Sequence, residues 1–512
     1  MTTLSPARTE KVDPPTEDLS RPPGWLVVGT VTYLLAPLMI FLTTWVRWEV
    51  GLVAVLCLGL VGHSLAAGTG TGPRLSTPAT IGVGAFAIVL TWLSGAGDFG
   101  YQAGDWWKHN AVFSDLVSQP WPVVYDAGGP VGLDYYLAHY LPAASVGKLG
   151  GFWLGNMAMV AWTAAGLVLV GSWLVVLVRR AWVPALVTFV ALSGFDVVGW
   201  LLFEPFTGAP AEAAIGFEGA EFWNGNFAYL SQLTNVADAP HQSMGIWLLT
   251  SLMLWAVLER RDLRWLPLVM VVSPFWSAFA TIGLLPFACL ALWRERASLR
   301  QVVEPRQWLL APTAVVVLAY FAARTADLPS AIEGGVEVSL IFADPRYDIG
   351  MARILVAFAL FLALELVVPA VMVRRHHRFV GLERHLVLLS LAVLVAVLPI
   401  RVSGNHDLML RGTGPAILIL TVVVARLLAR SKPGTAARAS LVVLLAVGSL
   451  TGGVVVARAL TAEQRPVYDN TDATVGPGLV EFYSDDPDTV RYLSQYVSGT
   501  DSFFWRTLAA RD

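Results

Sequence analysis

A short polar stretch near residue 100 carries the side chains best suited to acid–base chemistry. Asp105, Lys108 and His109 lie close together, and Asp105 and His109, four positions apart, would share one face of a helix. A carboxylate held where lipid, water and protein meet experiences a reduced dielectric, which can tune it as a general base or a metal ligand. The same spacing also fits an interfacial Asp that caps a helix beside a Lys and a His. We take Asp105 as the first candidate base and His109 as a second titratable group beside it.

Other residues of the same region are candidates for a supporting role. Asp98, which lies among glycines, is the second candidate base. Trp106 could stack on a sugar ring or anchor the chain at the membrane interface. Trp121 stands in the proline-stiffened segment 118–125, which either covers a groove and stacks on a sugar or is simply a rigid loop.

A second polar cluster precedes the apolar run that starts at Gly412. It contains Asn405, Asp407 and Arg411. Arginine is suited to forking onto phosphate oxygens, so Arg411 could hold a lipid phosphate; alternatively it extends to headgroups and pairs with Asp407. His241 stands before another apolar run, where a lone His is usually a cap or a core hydrogen-bonding group. We predict that all four residues, with Lys108, Trp106 and Trp121, contact substrate.

A divalent metal is an open question at this stage. Three histidines, His109, His241 and His406, together with Asp105 and Asp407, provide suitable ligand types. No pair of them has a recognisable ligand spacing, so we assign no metal ligands.

The elements that position these residues are apolar and long. Of 512 residues, 56% are hydrophobic and only 14% are charged, which indicates an integral membrane protein. The net charge of −3, with no basic run or glycine-rich phosphate loop, argues against a nucleic-acid partner. The two cysteines provide neither a disulfide framework nor a Cys-based metal site.

The hydropathy pattern predicts an all-α polytopic fold with about thirteen transmembrane helices. Eleven apolar runs of spanning length fall at 25–46, 50–67, 79–96, 152–178, 182–203, 244–258, 308–324, 352–373, 386–400, 412–430 and 439–457. The run 265–293 has basic residues at both ends, so we predict two short helices that meet at Ser273-Pro274.

Basic loops predict the orientation of the bundle. The Lys/Arg-rich connections near residues 179–180, 260–264, 294–300, 374–378 and 430–438 all fall on one side, which places the N-terminus in the cytoplasm and the C-terminus outside. The segments 97–151, 204–243, 325–351 and 401–411 then lie outside. We predict that 131–150 lies along the interface, although a span there is an alternative.

Three regions follow from this organisation. Residues 1–24 are predicted to be a disordered cytoplasmic tail, because they are polar and rich in proline. Residues 25–457 form the transmembrane domain, with interfacial helices in the exterior loop 97–151. Residues 458–512 form a small exterior segment.

The order of these features resembles the GT-C superfamily of membrane glycosyltransferases, and in particular a group of bacterial polytopic proteins of GT-C type. The residues that carry the likeness are Asp105-Trp106, His109-Asn110, Pro120-Trp121-Pro122-Val123, Tyr135-Tyr136, Leu141-Pro142-Ala143, Pro240-His241 and Asp407 to Arg411. In many GT-C enzymes the acidic loop follows the first span, whereas here it follows the third, and a doubled acidic pair is absent.

The resemblance implies a glycosyltransferase in the bacterial plasma membrane. It implies a polyprenyl-phosphate sugar donor, an exterior glycan or lipid acceptor, and a loop Asp as base, for which Asp105 fits best and Asp98 second. Two other functions stay open. A transporter or flippase would place charged residues or broken helices inside the bundle, where Asp196, Glu365 and Ser273-Pro274 qualify. A scaffold would keep the fold without the chemistry.

Overall fold

The computed structural model describes residues 20–207, 220–325, 328–329, 332, 338–343, 350–402, 406–461, 478–484 and 493–510. Helices dominate this part of the chain, and eight of them are long and apolar enough to cross a membrane. These eight are Gly24–Thr44, Trp48–Ala67, Leu141–Leu177, Trp182–Leu201, Pro240–Glu259, Gly350–Arg374, Asp407–Arg430 and Ala436–Thr461. The protein is therefore a mainly helical, polytopic membrane protein.

Every predicted span corresponds to a helix in the described chain, but five of these helices are short. They are Thr77–Leu93, Trp265–Trp276, Ala278–Arg294, Ala311–Ala322 and Gly381–Val397, of 12 to 17 residues. A helix of 17 residues is about 25 Å long, somewhat less than a hydrocarbon core of about 30 Å. The count of thirteen crossing helices therefore remains a prediction.

The predicted break at Ser273-Pro274 is wrong by three residues. The first helix continues through Pro274 to Trp276, and the chain becomes extended only at Ser277 (φ −166°, ψ 116°). Pro274 has no N–H for the carbonyl of Met270, but the Ser273 hydroxyl donates to that carbonyl at 3.3 Å. Ser277 then caps the next helix by accepting from the N–H of Ala280 at 3.2 Å.

The segment 131–150, predicted to lie along the interface, contains two different structures. Strand Pro130–Leu133 pairs with Val124–Asp126 on one side and with Val497–Gly499 on the other, in antiparallel register. A helix then begins at Leu141 and bends at Gly151 (φ 82°, ψ 176°) before it continues to Leu177. Only residues 141–150 have the form of a short interfacial helix.

The described parts of the C-terminal segment pack on the segment 97–151 and on the end of the first helix rather than forming a separate unit. Besides the strand Val497–Gly499, the N–H of Leu479 donates to Asp115 Oδ2 at 2.8 Å, and the N–H of Ala510 donates to the carbonyl of Trp45 at 2.8 Å. A further strand pair joins Val338–Leu340 to Ile400–Val402.

One helix lies at the centre of the bundle and reaches the region of the candidate residues. The central helix, Pro240–Glu259, is buried along its whole length and packs against the helices Leu141–Leu177 and Gly414–Arg430. Two short helices lie at its N-terminal end: the loop helix, Trp106–Ser118, and the bridging helix, Gln232–Asp238. Three of the eight long spans consist of shorter segments: Trp182–Leu201 contains Trp182–Ala191 and the start of Asp196–Thr207, Gly350–Arg374 ends with Val368–Arg374, and Asp407–Arg430 begins with Asp407–Gly412. Leu479–Ser484 is a separate short helix.

Candidate functional site

Segments that are far apart in the sequence meet at the bridging helix. The indole N–H of Trp106 donates to the carbonyl of Ala237 at 2.9 Å. Arg411 Nη1 donates to Asn235 Oδ1 at 3.0 Å. Trp106 and Arg411 thus contact the same seven-residue helix. We call the assembly the polar cluster; its members are Asp105, Lys108, His109, Tyr135, Tyr140, Asp238, His241 and Arg411.

Asp105 stands immediately before the loop helix, yet its carboxylate does not cap that helix. Its backbone is already helical, and its side chain accepts no capping hydrogen bond. Asp105 Oδ2 instead lies 2.9 Å from Lys108 Nζ, and the two side chains are 26% and 19% exposed. The pair is therefore only partly buried, in a region whose other polar groups are mostly buried.

Neighbouring charges keep Asp105 ionised. Burial by itself would raise the pKa of Asp105, but nearby positive charge, chiefly that of Lys108 with a contribution from Arg411, holds it below its ordinary value. The pKa of Lys108 rises, because the attraction and hydrogen bond of Asp105 outweigh the effect of burial. The two residues form an ion pair at neutral pH.

His109 is neutral, and both of its ring nitrogens are occupied. Nε2 lies 3.0 Å from the carbonyl of Asp238, which can only accept, so Nε2 carries the proton. The Tyr140 hydroxyl therefore donates to Nδ1, at 2.6 Å. Burial is the main cause that lowers the pKa of His109, to about 3. His109 has no free lone pair in this arrangement and fixes the loop helix to the bridging helix.

His241 and Arg411 each retain a polar atom without a partner. The ring of His241 lies 4.4 Å from that of His109, and its Nε2 forms a hydrogen bond of 2.9 Å with the hydroxyl of Tyr135. Within the described chain, Nδ1 of His241 and Nε of Arg411 are buried and have no hydrogen-bond partner. Buried polar atoms are normally paired, so these two unpaired atoms distinguish His241 and Arg411 from the other buried groups of the cluster.

The two tryptophans predicted to contact sugar are packed against protein groups. Trp106 is buried and meets His109 edge to face, with ring centroids 5.3 Å apart. The ring of Trp121 lies 5.0 Å from Lys148 Nζ and 5.1 Å from the ring of Trp45. The geometry gives no support to a stacking role for either residue.

Three other predicted site residues, Asp98, Asp407 and Asn405, are not members of the polar cluster. Asp98 ends the short turn Ala96–Asp98, with a left-handed backbone (φ 70°). Asp407 begins the helical turn that leads to Arg411, but the described contact of Arg411 is with Asn235 rather than with Asp407. Asn405 lies outside the described residues.

Three members of the polar cluster, Tyr135, Tyr140 and Asp238, were not predicted as site residues from the sequence, and neither was Asn235, which binds Arg411. Tyr140 and Asn235 act only through tertiary contacts, and no local spacing marks them. Asp238 had a local signal, since it stands three residues before His241 at the start of the central helix. Burial, followed by the negative charge of Asp105, raises the pKa of Asp238 to about 7.

The predicted histidines do not form a metal site in the described chain. Among those residues, no group of three or more His, Cys, Asp or Glu side chains converges closely enough to hold an ion. The polar cluster combines a partly exposed carboxylate with a lysine and an arginine.

Comparisons with known proteins found no matching family model, no matching curated protein and no matching solved structure.

Proposed function

We propose that this chain is a GT-C-type membrane glycosyltransferase of the bacterial plasma membrane. It transfers a sugar from a polyprenyl-phosphate donor to a cell-envelope glycan or lipid on the exterior face, with thirteen crossing helices, the N-terminus inside and the C-terminus outside. The observation that carries the proposal is the partly exposed Asp105–Lys108 ion pair within the largely buried polar cluster. The resemblance of the motif order to GT-C proteins supports it.

The proposed reaction inverts the sugar carbon. Asp105 takes the proton of an acceptor hydroxyl while the acceptor oxygen bonds to the anomeric carbon, and the bond from that carbon to the donor phosphate oxygen breaks. The phosphate leaves with the bonding electrons, and Lys108 and Arg411 stabilise its charge. Base catalysis of this kind is typically worth about 10² to 10⁴ in rate.

Donor binding would also activate the base. While Lys108 lies 2.9 Å from the carboxylate, the pKa of Asp105 is low and the group is weakly basic. A donor phosphate that attracts Lys108 would remove this positive charge and raise the pKa of Asp105. The carboxylate then becomes a better proton acceptor only when the donor is present. His109, Tyr140 and the carbonyl of Asp238 hold the loop in position.

A transporter or flippase is the second candidate function, and a buried group of carboxylates favours it. Asp196 is fully buried and accepts from the Ser193 hydroxyl at 2.9 Å, while Glu365 accepts from the N–H of Phe195 at 3.0 Å. Carboxylates inside a helical membrane bundle are expensive and often mark transport routes. A non-catalytic scaffold is the third reading.

One experiment separates the three functions. The full chain is reconstituted in vesicles with a labelled polyprenyl-phosphate sugar and envelope acceptor material. Transfer of label by the wild type, and its loss in Asp105→Asn, would support the glycosyltransferase. Movement of labelled lipid between leaflets without sugar transfer would support the transporter. Absence of both activities would support the scaffold.

A further inference from the structure

A large cavity lies at the end of the central helix opposite the polar cluster. Its volume is about 750 Å³, and five arginines line it: Arg179, Arg261, Arg294, Arg426 and Arg430. Glu259, at the last position of the central helix, is also part of the wall. His241 and Glu259 are 18 residues apart on this helix, which corresponds to about 27 Å. The arginine cavity is thus separate from the proposed active site by roughly the width of a bilayer core.

Two glutamates line the cavity and neutralise part of its positive charge. Glu259 contacts Arg426 at 2.5 Å and Arg179 at 3.9 Å. Glu383 contacts Arg430 at 2.7 Å. Five arginines against two glutamates leave the wall with three more positive than negative charges.

Arg294 supplies charge that no described group neutralises. Arg261 is paired outside the wall, with Glu295 at 3.3 Å. Arg294, at the end of the helix Ala278–Arg294, has no hydrogen bond or ion pair within the described chain, and it is only partly exposed. A guanidinium in this setting is available to form a bidentate hydrogen bond with an anion.

Backbone strain is concentrated at the same wall. Arg179 (φ 56°) and Arg261 (φ 61°) both adopt the left-handed conformation that non-glycine residues rarely use. Each lies within a helix-to-helix connection and is part of the cavity wall. Such strained residues cluster at ligand-binding sites, where the surrounding structure maintains them.

A helix N-terminus adds backbone donors to these side chains. The 17-residue helix Gly381–Val397 begins in the wall, and Val380 before it provides no side-chain cap. Space lies in front of this end, because a Cβ placed on Gly381 would meet nothing within 4 Å. The first-turn N–H groups of a helix and its dipole favour a negative ligand.

We propose that the arginine cavity binds a phosphate-bearing anion, which is either the headgroup of an anionic membrane lipid or a free phosphate or diphosphate. The net positive wall, the unneutralised Arg294 and the open helix N-terminus all select a ligand with several negatively charged oxygens. The site does not depend on the proposed transferase activity, because it shares no residue with the polar cluster.

The test uses the full-length protein purified in detergent. Native mass spectrometry measures binding of phosphatidylglycerol against phosphatidylcholine, and calorimetry measures binding of inorganic phosphate and pyrophosphate. Arg294→Gln removes the free guanidinium without breaking a described contact. Arg296→Gln, which removes an exposed arginine outside the cavity wall, is the matched control.

We expect Arg294→Gln to lower the affinity for the anion by about tenfold and Arg296→Gln to leave this affinity unchanged. Selective loss of phosphatidylglycerol binding identifies a lipid-headgroup site, and selective loss of phosphate or pyrophosphate binding identifies a free-anion site. The proposal is wrong if wild-type protein binds none of these anions above phosphatidylcholine, or if both variants lose binding equally; the arginines would then only neutralise helix C-termini.

Discussion

At the scale of single residues, the exposed fraction of the side chain distinguishes Asp105 and Lys108 from the buried groups around them. Asp105 and Lys108 keep about a quarter and a fifth of their side chains exposed. His109, four positions from Asp105, is buried, and its two nitrogens are occupied by Tyr140 and Asp238. Their spacing in the sequence predicted only that Asp105 and His109 are two titratable groups on one face of a helix. In the proposed mechanism, these different surroundings leave the carboxylate to act as the base and the imidazole to hold the loop in position.

The hydrogen bond from Tyr140 to His109 gives a stability prediction. Tyr140→Phe leaves the buried Nδ1 of His109 without a donor and should lower the free energy of unfolding by about 1–3 kcal/mol. Tyr33→Phe is the control, because the hydroxyl of Tyr33 is buried with no hydrogen-bond partner in the described chain. Thermal unfolding in detergent should therefore respond to the first substitution and hardly to the second. Equal effects would show that the His109 contact is not maintained.

Asp238 gives a pH prediction. Its folded-state pKa of about 7 lies above the ordinary Asp value near 4. The stability that it contributes is therefore complete below pH 4 and is lost as the pH rises through about 7. Asp238→Asn keeps the backbone carbonyl that accepts from His109, so the variant should lose less stability than wild type between pH 5 and pH 8. Melting temperatures at the two pH values test this, and parallel losses would contradict it.

At the scale of elements, the sequence predicted where helices occur better than how they end or meet. Long apolar runs predicted helices at every span, since hydropathy and length are local properties. The break near Ser273 was misplaced because a serine hydroxyl compensates for Pro274, an effect that proline content alone does not reveal. The contacts of Arg411 with Asn235 and of Trp106 with Ala237 depend on long-range packing, so only the presence of candidate residues could be predicted.

The bend in the helix Leu141–Leu177 gives an element-scale prediction. Gly151 has φ 82° and ψ 176°, and a Cβ there would meet nothing within 4 Å. Gly151→Ala should therefore destabilise the protein through its backbone alone, by about 1–3 kcal/mol. In Gly453→Ala, a matched change inside the helix Ala436–Thr461 that also meets open space, better helix propensity should add about 0.5–1 kcal/mol. Shifts of the same sign in thermal unfolding would argue against the bend.

At the scale of the whole molecule, the central helix connects two ends with different chemistry. The polar cluster contains a partly exposed carboxylate, a lysine and an arginine at one end, and the arginine cavity lies at the other. This polarity matches the positive-inside pattern of the loops, which predicts that the cavity faces the cytoplasm. The proposed transferase needs this orientation, because its donor and acceptor meet outside.

Cysteine labelling tests the orientation in intact cells. On a background without Cys57 and Cys289, Asp501→Cys and Lys432→Cys place thiols at two exposed positions, one in the C-terminal segment and one in a basic loop. An impermeant maleimide should label the cysteine at 501 and should reach the cysteine at 432 only after the cells are opened. The reverse pattern would overturn the topology and, with it, the exterior active site.

The most direct test of the proposed function is the rate of sugar transfer from a labelled polyprenyl-phosphate donor by wild type, Asp105→Asn and Asp98→Asn. The first substitution keeps the size of the side chain and removes its basicity, so the protein should still fold, with a lower melting temperature from the lost ion pair, while turnover falls by roughly 10²-fold or more. Asp98→Asn should reduce turnover less than Asp105→Asn does. Near wild-type turnover in folded Asp105→Asn would remove Asp105 from the mechanism, and a larger loss in Asp98→Asn would transfer the role to Asp98.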